Sequence, residues 1–272
     1  MDRYLYDENY TRLKLIKSVA GASERVLNFL FLPGGPAADS SYYMTLVNNM
    51  KAVGNYWLVD LIYYGTNDKH QKSHEETCRE WPKYIEAVAA NFENPVLITH
   101  SAGGYISLCC PGLEKYLKGL VMLHSTPTLK SELVKVNDFQ NEIDTFISDP
   151  SRENLFNLFK KESSLLFNEK NLEKGMRALE DMHMNLKSNQ WWYSKGSSFY
   201  DEIKWIPQSV PTMLVSGEDD LVTPGTIFQG DLRFNRKNIE MRSLKDVGHF
   251  SLIDAPLLTA NTIDEFIKSK IG

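Results

Sequence analysis

In Pro95-Val-Leu-Ile-Thr-His-Ser101-Ala-Gly-Gly104 an apolar run ends on a serine flanked by small residues, and a helix-like segment, Tyr105 to Cys110, follows. This is the layout of a tight strand-to-helix turn that lifts a serine hydroxyl above the edge of a parallel sheet. Ala102, Gly103 and Gly104 are small enough to let the helix pass close beneath the turn. The usual pattern places glycine two positions before the serine; Thr99 stands there in this chain. A lone serine in such a run is more often a structural turn, so the remaining sequence has to carry the case.

Outward from that turn, short apolar runs alternate with helical spacing. Leu13 to Val19 is an amphipathic strand, and Arg25 to Leu32 is nearly all apolar until Pro33-Gly-Gly-Pro36 stops it. Further strands are expected at Asn55–Leu61, Val96–Thr99, Leu120–His124, Thr212–Ser216 and Ile239–Leu244. Helical periodicity covers Ser40–Val53, His74–Asn91 and Leu257–Lys268. Strands apolar on both faces and separated by helices imply an α/β fold, a mostly parallel sheet covered by helices on both faces. Ligands of such sheets sit beyond the carboxyl ends of the strands. Thr128 to Ile206 breaks the rhythm: it is polar, helix-rich and holds Trp191, Trp192 and Trp205. It is expected to be a helical cap, residues 128–206, on a core of residues 1–127 and 207–272.

With 272 residues, 42% of them hydrophobic, the chain can bury the core of one α/β domain with an insertion. A net charge of −5 argues against a nucleic-acid partner, which needs a clustered positive field. No apolar run approaches the ~20 residues that cross a bilayer, and the start Met-Asp-Arg-Tyr-Leu-Tyr-Asp has no apolar core of a signal peptide. No membrane partner and a cytoplasmic location are expected. Cys78, Cys109 and Cys110 lack the spacing of a disulfide framework or a zinc site; neither metal nor cofactor is expected.

A serine becomes a useful nucleophile only when a base takes its proton, and a third group must orient that base. The loop Gly217-Glu-Asp-Asp-Leu-Val-Thr-Pro224 follows one late strand, and Asp246-Val-Gly-His249 follows the next. The order Ser, Asp, His is the one this type of turn uses. Ser101 is the candidate nucleophile, His249 the base and Asp220 the orienting acid, with Asp219 as the alternative acid. An oxyanion needs preorganised N–H donors. Ala102 supplies one; in the Pro33–Pro36 loop only Gly34 and Gly35 carry an N–H, and Gly35 is the choice. Candidate pocket residues are Gly34, Pro36, His124, Trp191 and Trp192. Against these stand ordinary roles: a simple turn at Gly34-Gly35, a capping His249, a packed His124 and tryptophans that fill a core.

Together these residues resemble the α/β-hydrolase family over nearly the whole chain. The matching pieces are Leu32–Pro36, Asp60–Gly65, His100–Gly104, Gly217-x-x-Asp220-x-Val-x-Pro224 and Gly248-His249. The resemblance implies a serine triad and a cap inserted after the sixth sheet strand. Gly34-Gly-Pro36, with Tyr42 or Tyr43 and Leu46 soon after, is similar to the proline iminopeptidase group. Pro33 and Thr99-His-Ser-Ala-Gly103 depart from that group and look more like small carboxylesterases and lipase-like hydrolases. The related haloalkane dehalogenases and epoxide hydrolases carry aspartate where Ser101 stands. The expected substrate is a small-molecule carboxylic ester with a small or medium acyl group. The alternatives are a short peptide or amide cleaved by an aminopeptidase, its free amine held by Glu169, Glu173, Glu180 or Asp181, and a ligand-binding relative without turnover.

Overall fold

Alternate residues of the central strands are buried on opposite faces of one sheet. The strands are β1 (Leu5–Tyr6), β2 (Arg12–Val19), β3 (Leu27–Leu32), β4 (Gly54–Asp60), β5 (Pro95–His100), β6 (Gly119–Leu123), β7 (Thr212–Gly217) and β8 (Ile239–Leu244). The computed structural model describes residues 4–21, 26–35, 37–69, 72–129 and 139–272. The sheet order is β1-β2-β4-β3-β5-β6-β7-β8. β2 pairs antiparallel with β1 and with β4, and every pairing from β4–β3 onward is parallel.

Helices α1 (Met44–Asn49), α2 (His74–Arg79), α3 (Trp81–Ala90), α4 (Ala102–Ser107) and α5 (Leu113–Tyr116) alternate with the strands. Between β6 and β7 come α6 (Gln140–Ser148), α7 (Arg152–Leu166), α8 (Leu172–Asp181), α9 (Leu186–Trp191) and α10 (Ser197–Phe199). α11 (Thr226–Gly230), α12 (Ser251–Asp254) and α13 (Pro256–Lys270) complete the chain. Leu30 and Leu32 of β3 join Leu97 and Leu120 in a core with Trp81, Ile85 and Val88 of α3. Phe29 and Phe31 join Val96 and Ile98 in a second core with Val47 of α1 and Phe266 of α13. Burying each such side chain contributes about 1.5–3 kcal/mol, so a strand apolar on both faces is stable only between two helical layers. Among the described residues no helix is long and apolar enough to cross a membrane.

Three elements differ from the sequence expectation. The helix expected over His74–Asn91 is broken after Arg79 and restarts at Trp81. Pro82, near the start of the new helix, has no N–H to continue the first one. The helix expected over Ser40–Val53 is a 3-10 turn at Ser40–Tyr43 followed by α1, which stops at Asn49. Beyond it the Lys51 and Ala52 N–H groups donate to the Asp264 carboxylate of α13 (2.7 and 2.9 Å). β1 has two exposed residues, too few to show a period. Arg25, placed at the start of a strand by its sequence, lies outside the described residues.

The antiparallel margin is tied to the parallel sheet by one buried ion pair. Arg12, which opens β2, donates from Nε and Nη2 to Asp60 Oδ2 (3.0 and 2.7 Å), and the Ser40 N–H donates to Oδ1 (2.6 Å). Removing one partner of a buried pair leaves the other charge uncompensated. Asp60→Ala is therefore expected to cost about 3–5 kcal/mol, measured as a fall in the urea midpoint with an unchanged slope.

Candidate active site

Ser101 joins β5 to α4 with φ 50° and ψ −124°, a backbone region that costs a non-glycine residue about 1–3 kcal/mol. Its surroundings enforce it. The Ser101 N–H donates to Leu123 O of the neighbouring strand (2.9 Å), and its carbonyl accepts from Gly104 N–H (3.0 Å) and Ser125 Oγ (2.9 Å). Close approach also requires missing side chains. A Cβ on Gly34 would overlap the His100 carbonyl, and one on Gly103 would overlap the Pro33 carbonyl. Thr99 is wholly buried on β5, and its hydroxyl donates to Val121 O (3.3 Å). A Cβ on Gly104 would lie 3.0 Å from that hydroxyl, so the glycine on the helix side is what leaves room for threonine.

β7 and β8 end beside each other, and their loops touch because Gly217 has no Cβ to strike the Val247 carbonyl. His249 Nε2 stands 2.9 Å from Ser101 Oγ, and its Nδ1 stands 3.2 and 3.1 Å from Asp220 Oδ1 and Oδ2. A carboxylate only accepts, so Nδ1 carries the proton and Nε2 offers a lone pair to the serine. Asp220 Oδ1 also accepts from the N–H groups of Val222 (3.0 Å) and Thr223 (2.9 Å), and Oδ2 from Thr223 Oγ1 (2.9 Å) and His124 Nδ1 (3.0 Å). Burial alone would raise this carboxyl. The charge of His249 and the hydrogen bonds from the two histidines outweigh burial and hold it well below the carboxylate range. Asp219 points elsewhere: it is exposed, and its Oδ2 accepts from Asn168 Nδ2 (2.6 Å).

Two further histidines are built into this cluster. His124 is fully buried and packs behind Asp220 rather than on a cavity wall, and its Nε2 has no partner among the described residues. Burial, with His249 nearby, lowers its pKa against the pull of Asp220, so Nδ1–H donates and Nε2 keeps a lone pair. His100 is held neutral by burial and by its neighbours His249 and His124. Its Nε2 lies 2.9 Å from the His249 carbonyl, so that nitrogen bears the proton and Nδ1 accepts from Tyr42 Oη (3.2 Å). Tyr42 Oη in turn accepts from the Gly34 N–H (2.8 Å). The Gly34 donor is thereby used, whereas the Gly35 and Ala102 N–H groups meet no acceptor among the described residues. Gly35, with φ +96°, and Ala102 both border the cavity at Ser101.

That cavity holds about 180 Å³ and is mostly apolar. Gly34 and Trp192 line it; Trp191 does not, being buried edge-on against Trp81 (5.8 Å between ring centres). Pro36 lies outside the described residues. Glu169, Glu173, Glu180 and Asp181 are all exposed. The acid that reaches the cavity is Glu162 of α7, half-buried, with no hydrogen bond or ion pair from any described residue. Burial pushes its carboxyl up to about 7. Its signal is present in the sequence: one glutamate interrupts the apolar stripe Leu155, Leu158, Phe159, Leu165, Leu166 at helical spacing.

The ligating atoms of His124, Asp220 and His249 lie within 4.8 Å of one another. In composition they could hold a metal ion. Both Nδ1 atoms already sit at hydrogen-bond distance from the carboxylate, however, so a cation would displace both protons and break the orientation of His249 toward Ser101.

A sequence profile of the alpha/beta hydrolase fold family matches residues 28–256. No curated protein matches the chain in sequence. Among solved structures, an esterase from Thermogutta terrifontis with malate bound superposes with a TM-score of 0.71 at 14% identity, covering 96% of this chain and 95% of that one. An esterase from a Rhodococcus species gives 0.70 at 15% identity over 100% of both chains. An esterase from Exiguobacterium antarcticum gives 0.67 at 17% identity over 99% of this chain and 100% of that one. At these identities the likeness is one of fold.

Glu162 makes stability depend on pH in a definite direction. Its folded pKa of about 7 lies above the ordinary 4.5. The folded state therefore binds the proton more tightly, and stability is lost as pH rises through 7. Glu162→Gln is expected to stabilise the protein at pH 8 by about 1–2 kcal/mol and to be neutral near pH 4. Paired thermal melts of variant and wild type across that range measure it.

Proposed function

The chain belongs to the alpha/beta hydrolase fold family, and from that premise we propose that it hydrolyses carboxylic esters through Ser101, His249 and Asp220. The observation that carries this reading is the 2.9 Å contact between His249 Nε2 and Ser101 Oγ, with the opposite ring nitrogen bound to Asp220. His249 removes the serine proton as Oγ attacks the ester carbonyl. The Gly35 and Ala102 N–H groups receive the developing oxyanion, each such donor being worth about 3–4 kcal/mol in the transition state. His249 then passes its proton to the leaving alkoxide. A water, deprotonated by the same nitrogen, releases the acyl group. Asp220 keeps the imidazole in the required tautomer and stabilises the imidazolium. The helices between β6 and β7 act as the cap, residues 128–206, and shape the acyl site. A mostly apolar cavity of about 180 Å³ beside Ser101 has room for a small or medium acyl group, or for the first carbons of a longer one.

One observation favours a second reading. Glu162 places an unpaired carboxylate in the same cavity, and a buried carboxylate is strongly favoured by a cationic partner. A substrate amine would supply that partner, which is the aminopeptidase alternative.

Ser101→Ala is expected to lower turnover of p-nitrophenyl butyrate by at least about 10⁴-fold with an unchanged melting curve. Retained turnover would reassign the nucleophile. In the same assay, aminoacyl p-nitroanilides separate the two readings. Strong anilide turnover that falls at least about tenfold in Glu162→Gln, as expected for a lost charge-assisted contact, would favour the aminopeptidase. Ester turnover alone, insensitive to that change, would favour the esterase.

A further inference from the structure

We propose that the acyl site has two chambers in series and takes long-chain acyl groups, an inference that rests on the serine-esterase reading above. Beyond the inner cavity lies a recess of about 330 Å³ between α7 and the end of α8 with the segment that follows it. The two spaces share four walls, Phe159, Leu179, Met182 and Met184. A single layer of side chains therefore separates them. Two of the four are methionines, unbranched side chains that adjust readily around an apolar guest.

The backbone beneath that layer is pinned, so the side chains are what can swing. Asp39 N–H donates to the His183 carbonyl (2.9 Å), Asn185 N–H to the Ala37 carbonyl (3.1 Å), and Met184 bridges Ala38. α7 runs the length of both chambers. At its C-terminal end the Leu166 carbonyl accepts from the His249 N–H (2.8 Å), and at its N-terminal end Arg152 borders the outer recess. The fifteen residues from Arg152 to Leu166 span about 20 Å of axis. Leu155, Phe156 and Leu186 give the recess an apolar wall, while the charged Arg152, Glu153 and Glu180 are exposed at its rim. A short acyl group would leave this recess unused. A long one would thread past the methionines and bury its far methylenes there.

The test is kcat/KM on p-nitrophenyl esters from acetyl to dodecanoyl, below their micellar concentrations, for wild type, Leu186→Trp and Phe156→Trp. These two residues border only the outer recess and belong to different helices, α7 and α9, so a folding failure in one leaves the other informative. Each methylene moved out of water is worth up to about fourfold. Wild type is expected to prefer the dodecanoyl ester over the butyryl by at least about tenfold. Each tryptophan variant is expected to lose about tenfold on dodecanoyl and to stay within about twofold on butyryl. Two results overturn the proposal while leaving the esterase reading intact: a steady decline beyond butyryl with turnover still dependent on Ser101, or equal losses on both esters in folded variants. Absence of turnover on every ester, with Ser101→Ala indistinguishable from wild type, overturns both.

Discussion

The positive φ of Ser101 is the constraint on which the site depends. A serine held at φ 50° between a strand and a helix cannot relax into either, so its hydroxyl stands above the end of the sheet rather than within it. The conformation persists because the backbones of His100 and Pro33 and the side chains of Ser125 and Thr99 crowd the turn where Gly34, Gly103 and Gly104 lack side chains. The end of β3, the turn at Ser101 and the end of β6 are thereby locked at contact distance. Gly35 and Ala102 border the same cavity as Ser101, and neither N–H meets an acceptor among the described residues.

A second layer of order comes from hydrogen bonds that join loops from distant parts of the chain. Asp220 collects donors from its own loop, from His124 at the end of β6 and from His249. Among these five donor groups the two histidines outweigh burial, which by itself raises the carboxyl, and hold it well below its usual range. On the other side of His249, its carbonyl is tied through His100 and Tyr42 to the N–H of Gly34. The orientation of His249 and the shape of the Gly34-Gly35 loop are thus parts of one network. The inserted helices join it through the Leu166 carbonyl and the His183–Asn185 segment, which ties the wall of the cavity to His249 and to the loop after β3.

Much of this was legible along the chain. The two-sided apolar strands required a sheet covered on both faces, and the order of Ser101, Asp220 and His249 placed all three at strand ends. Those are local facts, since a period of two, a glycine pair or a loop at a strand terminus is written in a few consecutive residues. Glu162 was legible in principle as a charge inside an apolar helical stripe, but only a neighbouring cavity distinguishes such a residue from a solvated one.

The sequence by itself determined the sheet, the elbow and the residue types gathered at its carboxyl end, because strand burial and turn chemistry act over short stretches. The tertiary structure alone decided that Asp220 rather than Asp219 faces His249, that His124 backs the carboxylate instead of lining the pocket, and that Trp192 rather than Trp191 meets the cavity. It also committed the Gly34 N–H to Tyr42 and left that of Gly35 open. Each of these choices is between adjacent or similar residues. Adjacent side chains differ by direction in space, and direction is set by which distant segments pack against them.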